Sequence, residues 1–216
     1  MSSSQPTSID FYRAQHKRRL SYMPWLYARI KAKHLAWAQA WQEEIQSELQ
    51  RLETVIIGKH CFIAPEAKLF AEPGRTIIIG DNSFIAADTV MHGPITLGKH
   101  VSINHHVTMD GGRKGIMIGD QTRIAAYCSL YAFNHGMAAD RPIHEQPVTS
   151  EGIVLGQDVW LGAHVGIVDG VSIGDHTIVG MQSVVTRSIA SGVIAAGNPA
   201  RIIGERTRSN INVVDD

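Results

Sequence analysis

Midway along this 216-residue chain, His135 sits in the segment YAFNHGMAADRPIHEQPVTSEG, residues 131–152, with Asp140 and Glu145 a few positions on. Imidazole changes protonation near neutral pH, so a histidine among carboxylates has the makings of a general acid–base set. Asp140 and Glu145 are candidates to hold the Nδ1 proton, and the sequence does not choose between them. A solvated loop histidine is the plainer reading. Four further histidines, His92, His100, His105 and His106, lie close together. They raise the question of zinc, which needs three converging ligands and an open position. The only cysteines, Cys61 and Cys128, stand in no CxxC or other ligand spacing, so no metal is expected.

Bulk composition narrows the field. Formal charge is zero, which removes any general attraction to nucleic acid. Apolar residues make up 44% and aromatics 6%, with 20 glycines, a balance that favours a β-rich fold with tight corners. Between Phe11 and Gln42, however, there are seven Lys/Arg and no acid. No run approaches the roughly 18 apolar residues that span a bilayer. The first twenty residues have no apolar core before a cleavage site, so a cytoplasmic location is expected.

The elements that must position these residues follow from a count. Aliphatic residues fall at Ile57, Ile63, Leu69; Ile79, Ile85, Met91; Leu97, Ile103, Met109; Ile118, Ile124, Leu130; Leu155, Leu161, Ile167; and Ile173, Val179, Val185. They are six apart except at three breaks, after Leu69, Met109 and Leu130. Gly or Ala follows most of them, and small or β-branched residues recur four places on, as at Cys61, Ser83, Thr89, Thr122, Thr177 and Ser183. A period of six suits neither a helix nor one long strand. It fits a short strand with one inward residue and then a small residue where the chain turns. Every break falls after a multiple of three repeats, so three repeats make one coil and all insertions leave by the same edge of a triangular prism. Six coils are implied, about 29 Å tall at about 4.8 Å each. His92 then lies at one edge and His105 and His106 at another, which scatters the zinc candidates. Both cysteines point inward, three coils apart, beyond disulfide reach and poor nucleophiles.

Residues 1–53 lack the repeat. A short helix is expected near 9–20 and a longer one near 24–52, with Leu26, Ile30, Trp37, Trp41, Ile45, Leu49 and Leu52 at helical spacing. This segment reads as a cap for the first coil or a subunit contact. Its basic and aromatic residues also suit a peripheral membrane contact through residues 11–42, at the inner face of the membrane. The division is a helical segment 1–53, a repeat domain 54–204 with the loop 131–152, and a tail 205–216.

Within residues 152–203, DVWLGA, GVSIGD, VVTRSI and GNPARII occur in an order and spacing that resembles the hexapeptide-repeat acyltransferases. The likeness is greatest to the galactoside, maltose and nodulation-factor O-acetyltransferases and their polysaccharide-modifying relatives. The resemblance implies a mainly β fold, a left-handed parallel β-helix, in a homotrimer with active sites between subunits. It further implies acetyl-CoA as donor, a saccharide acceptor of the cell envelope or an exopolysaccharide, and no metal. By the same resemblance the catalytic base is His135 and the oxyanion donor is the backbone of Ala163. The acceptor falls to Asn104 and Asp110, and coenzyme A to Trp160, Ala163, Met181, Thr186, Arg187 and Arg201. Departures stand at Met181, in place of a smaller residue, at Ser188 and Ala190, and at Gly204, where an arginine is usual and Arg206 is the substitute to consider. Asn104 and Asp110 also suit left-handed corners for conformational reasons alone. A sugar amine or a small xenobiotic remains open as acceptor. A γ-carbonic-anhydrase-like zinc enzyme and a non-catalytic repeat scaffold are the rival readings.

Overall fold

The computed structural model describes residues 8–207. Residues 1–7, part of the stretch read for a leader, and 208–216, most of the expected tail, lie outside the described residues. Eighteen short strands build three faces. Face one stacks Val55–Ile57, Ile77–Ile79, Ile95–Leu97, Ile116–Ile118, Ile153–Leu155 and Ser172–Ile173. Face two stacks Phe62–Ile63, Phe84–Ile85, Ser102–Ile103, Arg123–Ile124, Trp160–Leu161 and Ile178–Val179. Face three stacks Lys68–Phe70, Val90–His92, Thr108–Asp110, Ser129–Tyr131, Gly166–Ile167 and Val184–Val185. Neighbouring coils pair in parallel, repeat on repeat: Ile57 lies opposite Ile79, and Ile79 opposite Leu97. The result is a β-solenoid of six three-sided coils. All three insertions leave where face three passes to face one, which we call the third edge.

The eighteen inward residues share one core, fully buried except Ile57, which is partly covered against the same cluster. Each such side chain contributes about 1.5–3 kcal/mol by leaving water. Corners differ from expectation. The small residue after each inward one is not the left-handed position; that position lies two further on. His60, Asn82, His100, Gln121, Asp158 and His176 take positive φ between faces one and two, and Asp88, His106, Tyr127, His164 and Gln182 take it between faces two and three. Five histidines therefore serve the backbone, a conformation that Asn, Asp and His tolerate better than most residues. Glycine is needed beside the inward residue for close approach instead: a Cβ on Gly80 would stand 2.4 Å from the Gly98 carbonyl oxygen of the next coil. The buried hydroxyls do more than fill space. Ser83 Oγ donates to Gly98 O (3.0 Å) and accepts from Val101 N (3.0 Å), and Thr122 Oγ1 does the same with Gly156 O and Val159 N. Cys61 and Cys128 are buried and unpaired with each other, and burial pushes the Cys128 thiol up to about 11.

The N-terminal segment is α1 (Ser8–Tyr22), a 3-10 turn (Pro24–Arg29) and α2 (Ala32–Leu52). The single helix expected near 24–52 is thus interrupted, with Ile30 and Lys31 extended. The break lets Leu26, Tyr27 and Ile30 fold onto Phe62 and Ala87, which one straight helix would carry them past. Leu52, expected on the packed stripe, is exposed. Capping of the first coil is direct. Gln42 is buried and its amide both donates to Ile63 O (3.1 Å) and accepts from Ile63 N (2.8 Å), as a neighbouring strand would. Gln46 Nε2 donates to Cys61 O at 2.9 Å. At the far end, Val193–Ala196 extends face two and Arg201–Glu205 folds back antiparallel on it. Among the described residues no helix is long and apolar enough to cross a membrane.

Candidate active site

At the third edge, Phe70, His92, Asp110 and Tyr131 stand one above another on successive coils. The first insertion returns Glu72 and Arg75 to this column. Arg75 Nη2 lies 3.5 Å from Asp110 Oδ1, and His92 bridges two acids, Nδ1 to Asp110 Oδ2 at 3.2 Å and Nε2 to Glu72 Oε1 at 3.4 Å. Arg75 Nε is 3.0 Å from Glu72 Oε1 but off the hydrogen-bonding direction, a close ion pair without a linear bond. Asp110 Oδ1 also accepts from Gly112 N (2.9 Å). Asp110 takes no left-handed φ, and neither does Asn104, so the conformational explanation for both residues falls away.

The third insertion rises from this column. Asn134–His135 pairs antiparallel with Val148–Thr149, so His135 stands on a two-strand hairpin, exposed, with Phe133 edge-on at 5.9 Å. Three side chains hold the excursion. Gln146, buried in the loop, bonds Ala138 N, Ala138 O and Arg141 O at 2.8–3.0 Å. Ser150 Oγ donates to Ala132 O (2.6 Å) and accepts from Arg113 and Lys114 N–H (both 3.0 Å). Asp169, one coil below, accepts from Glu151 N and Gly152 N at 2.8–2.9 Å and lies 3.5 Å from Asn134 Nδ2. The two acids expected to orient His135 do otherwise: Asp140 faces Arg141 at 3.6 Å and Glu145 faces His144 at 3.7 Å. Adjacent residues in the loop's turn reach one another more readily than they reach back to the hairpin.

The second edge, between faces two and three, carries Asn104, Ala163 and Met181 on coils three, five and six. The Asn104 backbone is engaged on both sides, to Ile124 O (2.9 Å) and from Thr89 Oγ1 (3.1 Å), while its side-chain amide has no partner among the described residues. Ala163 O accepts from Gln182 N at 2.9 Å, but among the described residues the Ala163 N–H has no acceptor. Gly162 beside it is obligatory, since a Cβ would lie 2.6 Å from Met181 N. The left-handed residues of this edge form a ring stack. His106 lies 4.8 Å from Tyr127 and Tyr127 lies 4.9 Å from His164, with Asp88 capping the column 3.6 Å from His106 Nε2. His105 is held toward its neutral form, by burial first and by His106 second.

The remaining candidates divide likewise. Trp160 projects from face two, half exposed; Thr186 and Arg187 are exposed at the third edge of the last coil; Arg201 starts the returning strand, one guanidinium nitrogen on Ala200 O at 2.8 Å. Arg206, weighed as a stand-in for the arginine absent at Gly204, is committed elsewhere: Nη1 bonds the backbone oxygen of Asp158 (3.0 Å) and its carboxylate (2.9 Å). One chain therefore brings His135 and Asp110 to one edge, and Asn104, Ala163 and Met181 to another, separated by face three. The histidines weighed for zinc do not converge; among the described residues no three His, Cys, Asp or Glu side chains form a metal-binding group. The reading of the sequence missed Glu72, Arg75 and the loop-holding Gln146, Ser150 and Asp169. A signal existed for His92, which sits one repeat-coil before Asp110, and none for residues in insertions.

Residues 152–187 match the family described as bacterial transferase hexapeptide (six repeats), and residues 76–104 match the hexapeptide repeat of succinyl-transferase. The galactoside O-acetyltransferase of Escherichia coli (strain K12) is 30% identical over 164 residues, 74% of this chain and 70% of that one. A putative lipopolysaccharide biosynthesis O-acetyl transferase, WbbJ, of the same strain is 32% identical over 156 residues, 68% and 77% of the two chains. Among solved structures, AntD, an N-acyltransferase from Bacillus cereus in complex with dTDP and 3-hydroxybutyryl-CoA, superposes with a TM-score of 0.66 at 30% identity, covering 76% of this chain and 89% of that one. At this identity and coverage the likeness extends past the shape of the coil to the sequence that winds it: the chain belongs to the hexapeptide-repeat acetyltransferase family.

Proposed function

We propose that the protein transfers an acetyl group from acetyl-CoA to a hydroxyl of a saccharide acceptor, by direct attack with His135 as base. A sugar hydroxyl is a weak nucleophile near neutral pH, and a positioned imidazole that removes its proton typically contributes about 10²–10⁴-fold. The observation that carries the reading is a row of backbone N–H groups at the second edge without acceptors among the described residues, those of His105, Ala126, Ala163 and Met181, of which Ala163 stands where the family resemblance puts the oxyanion donor. Its N–H sits at a corner pinned on either side by coil-to-coil hydrogen bonds, so it donates to the thioester carbonyl oxygen as charge gathers there without first rearranging. Asn104 and Asp110 hold the acceptor. The free amide of Asn104 and the Asp110 carboxylate, oriented by Arg75 and His92, are suited to sugar hydroxyls. Trp160 and the Met181 backbone line the donor's path. Thr186, Arg187 and Arg201 take its phosphates; Arg187 forms no ion pair among the described residues, which leaves its planar donor fork available.

The division of these groups between two edges is answered by a second copy. We propose a homotrimer in which the second edge of one subunit meets the third edge of the next, a head-to-tail contact that closes after three. Each site then takes His135 from one chain and Ala163 from its neighbour. The O-acetyl relatives, galactoside O-acetyltransferase and WbbJ, support a hydroxyl acceptor on an envelope saccharide. The likeness to AntD, an N-acyltransferase, supports a sugar amine as the second reading.

The test is His135→Ala, assayed with acetyl-CoA and a panel of saccharides while free thiol is followed. Coenzyme A affinity and fold should persist while transfer falls about 10²–10⁴-fold. A variant that transfers at the wild-type rate removes His135 as base, and a wild-type protein that binds no acetyl-CoA favours a scaffold. Alkaline hydroxylamine separates the two acceptors, because it cleaves an ester product and spares an amide. Mixing His135→Ala with a chain disabled at the neighbouring edge, Asn104→Ala, should restore part of the activity only if sites are shared between subunits.

A further inference from the structure

A groove of about 900 Å³ opens between α1, the 3-10 turn and α2, lined by none of the residues assigned to acetyl transfer. Its floor is apolar, made by Leu20, Leu26, Ile30 and Trp37, and it is stiffened by contacts among His16, His34 and Trp37 rings 4.7–6.3 Å apart. Its rim carries Arg13, Arg19, Arg29, Lys31 and Lys33, and no acid lines it. All five cations are exposed, and none forms an ion pair among the described residues. Five like charges on a rim that no acid lines repel one another, and of the five Arg13 also lies 6.0 Å over the Trp37 ring, on a chain whose formal charge is zero overall. The His34 imidazole registers this crowding: partial burial disfavours its charged form first, and His16, Lys33 and Lys31 add to the effect. Two apolar residues at the mouth, Ile9 and Tyr12, are 68% and 63% exposed, with Phe11 beside them at 58%.

Capping the first coil does not account for this surface. Gln42, Gln46, Tyr27 and Trp41 reach the first coil without lining the groove; Leu20, Leu26, Ile30 and Trp37 serve both, packed toward the first coil and flooring the groove, and the five rim cations take no part in the cap. A ligand that satisfies both rim and floor must present an anionic group and hydrocarbon together, as a phospholipid does. A nucleic acid would use the cations and leave the floor wet; an apolar peptide would use the floor and leave five charges crowded. α1 does not divide into an apolar and a polar face, since its apolar and basic residues share the groove side, so the occupant enters the groove and the helix does not lie flat in a bilayer. We propose that this groove is a binding site for an anionic membrane lipid, its phosphate held by the arginines and lysines of the rim and its upper hydrocarbon on Leu26, Ile30 and Trp37. The enzyme would then work at a lipid surface, where a lipid-linked saccharide is concentrated.

The experiment is co-sedimentation of the full chain with vesicles of phosphatidylglycerol and phosphatidylcholine, against pure phosphatidylcholine. Wild type should bind the anionic vesicles at least tenfold better. Arg13→Glu/Arg19→Glu/Lys33→Glu should lose that preference, and Ile9→Ser/Tyr12→Ser should weaken binding several-fold in salt that screens the charges. Circular dichroism and acetyl transfer to a soluble acceptor should be unchanged in both. Equal binding to the two vesicle types, or a charge-reversed variant that keeps its affinity, overturns the proposal. So does full release by millimolar inorganic phosphate, which would mark a soluble-anion site, or a change in subunit number in the variants, which would mean that another copy covers the groove. Vesicle binding is read without catalysis, so its failure would leave acetyl transfer standing.

Discussion

The second and third edges of this prism are built from the same repeat and spend their polar residues differently. At the second edge no insertion interrupts the corner. His106, Tyr127, His164 and Gln182 are drawn into left-handed turns, the three rings among them stacked coil on coil, and what is left over is the Asn104 amide and a row of backbone N–H groups at His105, Ala126, Ala163 and Met181 without acceptors among the described residues. At the third edge the period breaks three times. There the side chains of Arg75, His92, Asp110 and His135 are released from serving the corner and turned outward. Strict repetition makes rigid donors from the main chain, and interruption makes functional side chains. The proposed shared site would use both, and a single chain holds them apart.

The sharpest way to break the comparison is to spoil the rigid edge. Gly162→Ala places a Cβ 2.6 Å from Met181 N, backbone against backbone, in a corner with no room to yield. A loss of about 2–3 kcal/mol is expected, read from denaturant midpoints, with coenzyme A binding lost alongside. Gly204→Ala is the control: its added Cβ meets nothing within 4 Å, and stability should move by less than about 0.5 kcal/mol. Equal losses would mean that the close approach at Gly162 is not what the added methyl group breaks.

Next in size is the interrupted edge. Gln146→Ala strips three hydrogen bonds from the interior of the loop and leaves Ala138 N without its partner, a cost of about 1–3 kcal/mol. The loss should be local, because the loop hangs from the prism by Ser150 and Asp169 and contributes nothing to the inward stack. Thermal midpoint should shift little, while turnover falls about 10–100-fold through misplacement of His135. Hydrogen exchange confined to 133–149 would locate the effect; protection lost through all six coils would contradict it.

These two variants also mark what the sequence could convey. The coils were legible because each inward aliphatic obeys one spacing, and the common exit edge followed from break positions divisible by three. Side-chain roles inside the repeat were half legible. Ser83 and Thr122 read only as small or β-branched positions but bridge coils, and the left-handed corner sits two residues beyond the Gly or Ala at which the spacing puts the turn, because close approach and φ freedom both select small or short polar residues. Within insertions legibility ended. Nothing in the spacing says that Gln146 rather than Asp140 or Glu145 organises the loop, or that Arg75 returns to Asp110, since an excursion has no period to fix its register. The helical segment failed at one point for a related reason. Helical spacing from Leu26 to Leu49 continues through Ile30 and Lys31 on paper, and tertiary packing onto Phe62 interrupts it.

The smallest effect lies at the remaining edge, between faces one and two, where Asp158 ties the last strand to the prism. Its carboxyl is held below the usual carboxylate range, by the His176 hydrogen bond first and by Arg206 after that, with burial opposing. A carboxylate whose folded pKa is depressed contributes stability above its unfolded value, about 3.9, and loses it as pH falls through the folded value. The group is largely in water, so the contribution should stay below about 1 kcal/mol and shrink in salt. Wild type should therefore melt slightly above Asp158→Asn between pH 5 and 7, and the two curves should converge below about pH 4. A gap that widens with acid would mean that the pair is not what depresses this carboxyl. Because the pair anchors Arg206, at the end of the returning strand Arg201–Glu205, any measurable change in transfer by Asp158→Asn should be in the concentration of acetyl-CoA required and not in the maximal rate, which would tie Arg201 to the donor's phosphates and leave the second and third edges untouched.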